Sequence, residues 1–156
     1  LEGFSSIAER RESELRCAAG ILGLSGVYFL DYRDSGMSGS PDNQHPSALA
    51  AQPVEVVASK IARLIRQIQP QVVVTFDPIG GYKHPDHIAI HKATVLAFHL
   101  AGDPSFSCDL FPYKPQKLYY HTSFCMVNGR GAAASCRRDS RKYKGVSERR
   151  KKECCK

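Results

Sequence analysis

Asp77, His84, Asp86, His87 and His91 crowd into one short stretch, and their types and spacing could do chemistry. His84 and His87 are three apart and His91 is four beyond His87. On a helix starting near His84 all three would share one face, because residues three and four apart are helical neighbours. Neutral imidazole is a common zinc ligand, and carboxylates orient such rings. Asp77 and Asp86 are near enough in sequence to act as ligand, orienting group or base. The plainer reading is a solvated helix start, with Asp86 favouring the positive end of the helix dipole and the histidines merely polar. Three histidines on one face, just after a Gly-Gly loop, favour a functional site over that reading.

The surrounding residues supply elements to position them. Val72-Val73-Val74-Thr75-Phe76 is a β-branched run with the pattern of a strand buried on both faces. Pro78, Gly80 and Gly81 then forbid regular structure and make a tight loop. Pro85 suits a first helical turn, and Ile88, Ile90, Val95, Leu96 and Leu100 give the helix apolar surface. The loop therefore lies at the carboxyl end of a strand, where open α/β sheets bind ligands. Upstream, Ser6 with Glu9 predicts a capped helix over 6–22, with Ile7, Leu15, Ala18, Ala19 and Leu22 as a buried stripe and Gly23 as its stop. Val27–Leu30 reads as a strand, and residues 32–50 as a long loop of the kind that is functional or disordered. Pro53 opens a helix with Val54, Val57, Ala58, Ile61, Ile65 and Ile68 at helical spacing. Lys117–Tyr120 is a further strand, closed by His121. Strand, helix, strand in this order implies parallel crossovers.

The block Asp77, Pro78, Gly80, Gly81, Tyr82, His84, Pro85, Asp86, His87 resembles the second signature of the LmbE/PIG-L family, zinc-dependent de-N-acetylases and amidases of N-acyl glucosamine conjugates. Arg33-Asp34-Ser35-Gly36-Met37 is similar to a segment of the bacterial mycothiol-pathway branch, and the likeness extends from about Arg10 to Phe124. It implies a Rossmann-like α/β three-layer sandwich with a mostly parallel sheet. It also implies Zn2+ as cofactor, with His87 as a metal ligand. His84 would stabilise an oxyanion or protonate a leaving amine, Tyr82 would reach the same oxyanion, and Asp86 and Asp77 would orient them, with His91 behind. Arg33 and Asp34 would bind substrate, a small amino-sugar conjugate, Asp34 more than Arg33. The family's first signature, His-Pro-Asp-Asp-Glu, occurs nowhere in these residues. The chain is thus expected to be N-terminally incomplete, to carry only part of the site, and to be inactive or nearly so alone.

Composition narrows the classes. The chain has 156 residues, 42% of them hydrophobic, and no run of about 18 apolar residues, so no membrane span is expected. The net charge of +7 suggests nucleic acid at first sight. Residues 126–156 hold 11 Lys+Arg against 3 Asp+Glu, whereas the rest holds 11 against 12. The basic character therefore belongs to a tail with the composition of a disordered or non-native segment, and the resemblance implies that residues 1–125 are a partial deacetylase domain. Cys17, Cys108, Cys125, Cys136, Cys154 and Cys155 form no C-x-x-C pair, which leaves a cysteine zinc site poorly supported; adjacent Cys154-Cys155 could bind metal or form intermolecular disulfides, neither favoured without nearby histidines, and a reducing cytoplasm is the expected compartment. Two competing expectations are a non-catalytic sugar-binding remnant and a basic-tail nucleic-acid binder, the second weakened by the neutral body.

Overall fold

A computed structural model describes residues 3–121. The basic tail expected from residue 126 lies outside the described residues. The chain divides into two compact units, one containing the residues up to Phe29 and the other starting at Leu30.

In the first unit, α1 (Ile7–Leu22) begins as its sequence dictates. The Ser6 hydroxyl accepts the Glu9 N–H at 3.1 Å, while the Glu9 carboxylate reaches back to the Ser5 N–H at 2.7 Å. The bonds from the Ser5 hydroxyl and then the Ser5 backbone hold the Glu9 carboxyl below the usual carboxylate range. Gly23, at φ +72°, closes the helix by giving its N–H to the Ala19 and Gly20 carbonyls. The expected buried stripe does not form: Ala19 is buried, but Ile7, Leu15 and Leu22 are exposed. This helix is held by its caps and by exposed pairs such as Arg16–Glu12, which contribute little each. Val27–Leu30 is not a strand either. It finds no ladder partner among the described residues, and β-propensity without a neighbouring strand builds no sheet.

The second unit contains α2 (Val54–Ile68), β1 (Val72–Phe76), a single turn α3 (Gly80–Lys83), α4 (Pro85–Leu100) and β2 (Lys117–His121). The two strands pair in parallel, from Val72 opposite Lys117 to Phe76 opposite His121, and α4 is the crossover between them. This is the parallel, Rossmann-like α/β arrangement. Helices α2 and α4 meet through small residues: Ala58 and Ala62 on one side and Ala93, Ala97 and Ala101 on the other are fully buried. A stripe of alanines every fourth residue lets the helices approach closely, with Val57 and Ile65 filling the seam. The sheet departs from the expectation of burial on both faces. Thr75 is buried against the helices, but Val72 and Val74 on the other face are exposed, Val74 by 62%.

One buried charge holds the end of this unit away from the strand-end loop. Arg66 is 3% exposed and donates to the carbonyls of Ala101, Asp103, Phe106 and Leu110 and to Cys108 Sγ at 2.6–3.2 Å. Its guanidinium thereby fixes the loop between α4 and β2. The 32–50 loop is also ordered: Arg33 bridges Ala48 and two 3-10 turns, Pro41–Gln44 and Leu49–Ala51, fold it back on itself. No helix among the described residues is long and apolar enough to cross a membrane.

Candidate functional site

Strand β1 delivers the chain to Asp77, and the next residues turn sharply. The Asp77 carboxylate accepts the Gly81 N–H at 2.8 Å, and its carbonyl accepts the Gly80 N–H at 3.0 Å. Gly80 has φ +70°, and a Cβ there would lie 2.7 Å from Ile88 Cγ1 and 3.0 Å from the Ile88 nitrogen. Only glycine lets this turn press against the first turn of α4. Asp77 therefore orients the loop backbone, where the sequence left it open between ligand, orienting group and base.

The three histidines part company. His84 is the N-cap of α4, and its Nδ1 accepts the Asp86 N–H at 3.2 Å. A backbone N–H can only donate, so the neutral His84 ring carries its proton on Nε2 and offers a donor. His87 stacks on Phe76, ring centroids 3.8 Å apart and planes 7° from parallel, with Nδ1 3.2 Å from the Gly80 carbonyl. A carbonyl can only accept, so His87 Nδ1 donates and Nε2 keeps a free lone pair. A ligating histidine commonly donates its other ring N–H in this way. His91 Nδ1 donates to the Phe76 carbonyl at 2.7 Å, and the ring is buried against the edge of Tyr120. The rings of His84 and His87 lie 4.8 Å apart, while His91 ties α4 to the end of β1. The expected three-histidine face thus resolves into a facing pair and a buried strut.

Asp86 joins this helix start to the loop bearing Arg33 and Asp34. Its Oδ2 accepts the Ser35 N–H at 3.0 Å across 51 positions of sequence. Its Oδ1 is buried and has no hydrogen-bond partner among the described residues. Leaving such an oxygen unpaired is costly unless something else supplies the partner. Ligand atoms of Asp34, His84 and Asp86 all lie within 4.8 Å of one another, so this group could hold a metal ion. Carboxylate oxygens are donors zinc takes, and the orphaned Asp86 oxygen is the atom an ion would satisfy, so Asp86 and Asp34 fit a divalent cation, which His84 could join only by giving up its bond from the Asp86 N–H. Asp34 is exposed and accepts the Gly36 N–H at 2.7 Å. Arg33 instead pairs with Asp42 at 2.6 Å on the surface and stays outside the group. Tyr82 is exposed, its ring edge-on to His84 and His87 at 5.8 and 5.1 Å. Behind Phe76, a cavity of about 340 Å³ is lined by Val74, Thr75, Ile90, Thr94 and His121. Two residues that sequence reasoning passed over are Ser35, fully buried between the two loops, and Asn43, whose amide binds the loop carrying it. The one signal for Ser35 was its place inside the Arg33–Met37 block.

An α/β unit with a histidine pair and two carboxylates at the carboxyl end of a parallel strand has the make-up of a hydrolytic, metal-capable site. The GlcNAc-PI de-N-acetylase (PIG-L) family profile matches residues 2–98, and the chain belongs to that family. It is 44% identical over 117 residues to the 1D-myo-inositol 2-acetamido-2-deoxy-alpha-D-glucopyranoside deacetylase of Thermobifida fusca, covering 72% of this chain and 40% of that protein. It is 41% identical over 139 residues to the deacetylase of the same name from Thermomonospora curvata, covering 86% and 46%. The chain thus spans less than half the length of these curated relatives. The crystal structure of the conserved protein TT1542 from Thermus thermophilus is similar with a TM-score of 0.57 at 27% identity, over 84% of this chain and 50% of that one. The family is the one implied by the Asp77–His87 block.

Proposed function

We propose that this chain carries part of the active site of a zinc-dependent deacetylase that hydrolyses the N-acetyl amide of a glucosamine conjugate. The observation that carries the reading is the opposite hydrogen bonding of His84 and His87, which gives adjacent rings a donor and a free lone pair. The family membership and the names of the relatives support the reaction class and a small amino-sugar–inositol substrate.

An amide is a weak electrophile, and its hydrolysis develops negative charge on the carbonyl oxygen and needs a proton at the leaving nitrogen. Bound zinc would supply polarisation of the carbonyl and acidification of a water. His87 would hold the ion through Nε2, its ring fixed by the Phe76 stack and the Gly80 carbonyl. His84 would present Nε2–H as a hydrogen bond to the oxyanion, held in that tautomer by the Asp86 backbone, and would protonate the leaving amine only as an imidazolium, after Nδ1 gives up the Asp86 N–H. Tyr82, beside both rings, would add its hydroxyl to the same charge. Asp34 would take a sugar hydroxyl, and Arg33 would contribute only by leaving Asp42. The sequence holds no His-Pro-Asp-Asp block, the signature that in the family supplies two further zinc ligands, a His and an Asp, and the catalytic-base Asp, so turnover by this chain alone should be negligible. We assign the activity to the cytoplasm, since the cysteine pattern calls for no oxidising compartment.

A second position for the ion, within the Asp34–His84–Asp86 group, is supported by the orphaned Asp86 Oδ1. Zinc titration by calorimetry separates the two. The main reading, with only one of the family's ligands present, expects weak binding or none, any of it lost in His87→Ala and kept in Asp34→Ala. Loss in Asp34→Ala with retention in His87→Ala selects the second position, and zinc binding untouched by either substitution refutes both.

A further inference from the structure

Residues 34–40, which include Asp34, lie in no helix or strand, yet they must hold a carboxylate beside His84 and Asp86. The side chain that shapes it is Asn43, from the first 3-10 turn. The Asn43 amide nitrogen donates to the Ser35 carbonyl, to the Met37 carbonyl at 3.1 Å and, more weakly, to the Gly36 carbonyl at 3.4 Å. Its Oδ1 accepts the Gly39 N–H at 3.0 Å. Carbonyls need a donor and Gly39 needs an acceptor, so a primary amide is the one ordinary side-chain group that serves all of them. Aspartate lacks the donors, and alanine lacks both.

The residues so gathered lead directly to the site. Ser35 gives its N–H to Asp86 Oδ2 and its Oγ accepts the Ala50 N–H at 2.9 Å, so both edges of the loop converge on a fully buried serine. Gly36, at φ +69°, returns its N–H to the Asp34 carboxylate. Asn43 thus grips the backbone immediately after Asp34, while Asp34 itself is tethered by that same backbone.

We propose that Asn43 is a positioning residue: it holds the 35–39 backbone in the shape that keeps Asp34 within reach of His84 and Asp86. This rests on the second position for the ion, within the Asp34–His84–Asp86 group. Groups behind ligating residues are worth roughly tenfold to a hundredfold in metal affinity, so the effect should be measurable.

The test uses the whole chain, with Asn43→Ala, Asn43→Asp and Asp34→Ala, reading amide exchange by NMR and Co2+ affinity by calorimetry. Asn43→Ala should raise exchange about tenfold or more at Ser35, Gly36 and Gly39 while the Ala93 and Ala97 amides stay unchanged. Asn43→Asp should release Ser35 and Gly36 but leave Gly39 protected by its remaining oxygen. Where Asp34→Ala weakens Co2+ binding, Asn43→Ala should weaken it in the same direction, about tenfold. Unchanged loop exchange, exchange rising equally in the core, or Co2+ affinity lost with Asp34→Ala but intact with Asn43→Ala would each overturn the proposal. Absence of Co2+ uptake by the parent chain would instead remove the reading of the site, and the exchange pattern would then decide the role of Asn43 by itself.

Discussion

The two ends of the Leu30 unit treat buried polar groups in opposite ways. At Arg66 every visible demand is met: a buried guanidinium with no ion-pair partner among the described residues satisfies four carbonyls and a sulfur. At Asp86 demand is left open: one oxygen is bonded to Ser35, the other is buried and bare, and two neighbouring imidazoles turn one unspent nitrogen each away from their backbone partners. A buried network that is closed can only hold the fold together. One that is open bears a desolvation cost that a ligand could relieve. The contrast separates the structural residue from the candidate functional ones by whether their buried polar atoms are satisfied.

Breaking the closed end should cost the most stability and the least site geometry. Arg66→Met removes the donors for four carbonyls at once, and each bond from a charged donor is worth about 1.5–3 kcal/mol, offset by rehydration of the exposed loop. We expect a loss on the order of 3 kcal/mol in urea unfolding, with zinc affinity in the folded state unchanged. An equal loss of zinc affinity in the folded variant would show that the two ends are coupled. Gly80→Ala should have a smaller effect on stability and a larger one on the site. Its Cβ would collide with Ile88, and a positive φ imposed on alanine costs about 1–3 kcal/mol. The Gly80 carbonyl holds His87, so zinc binding should weaken together with the melting temperature, and a variant that melts lower but binds as before would sever that link.

What the sequence made legible was local. The β-branched run, the Gly-Gly turn and the proline at the first turn place β1, the loop and α4 where the structure has them, because each is dictated by residues a few positions apart. The pairing of His84 with His87 followed from the same spacing. Other features lay beyond it. His91 has the helical spacing of a third ligand, but Phe76 at the strand end offers a carbonyl that captures its ring. The run at Val27–Leu30 has strand propensity and no partner, and the apolar residues of α1 form a stripe with almost nothing buried. The link from Ser35 to Asp86, like the clasp of Asn43, depends on a loop folding back across a long span of sequence, which no short-range pattern encodes.

The central claim is that adjacent histidines are held in opposite tautomers by backbone groups before any ligand arrives. Nitrogen-15 NMR of the imidazole rings in the metal-free chain, above the pH at which the rings protonate, tests it directly. The account predicts an Nε2–H tautomer for His84 and an Nδ1–H tautomer for His87, with His91 matching His87. A shared tautomer for His84 and His87, or fast averaging of both, would contradict it, because the two rings would then have no fixed division between metal ligand and proton donor.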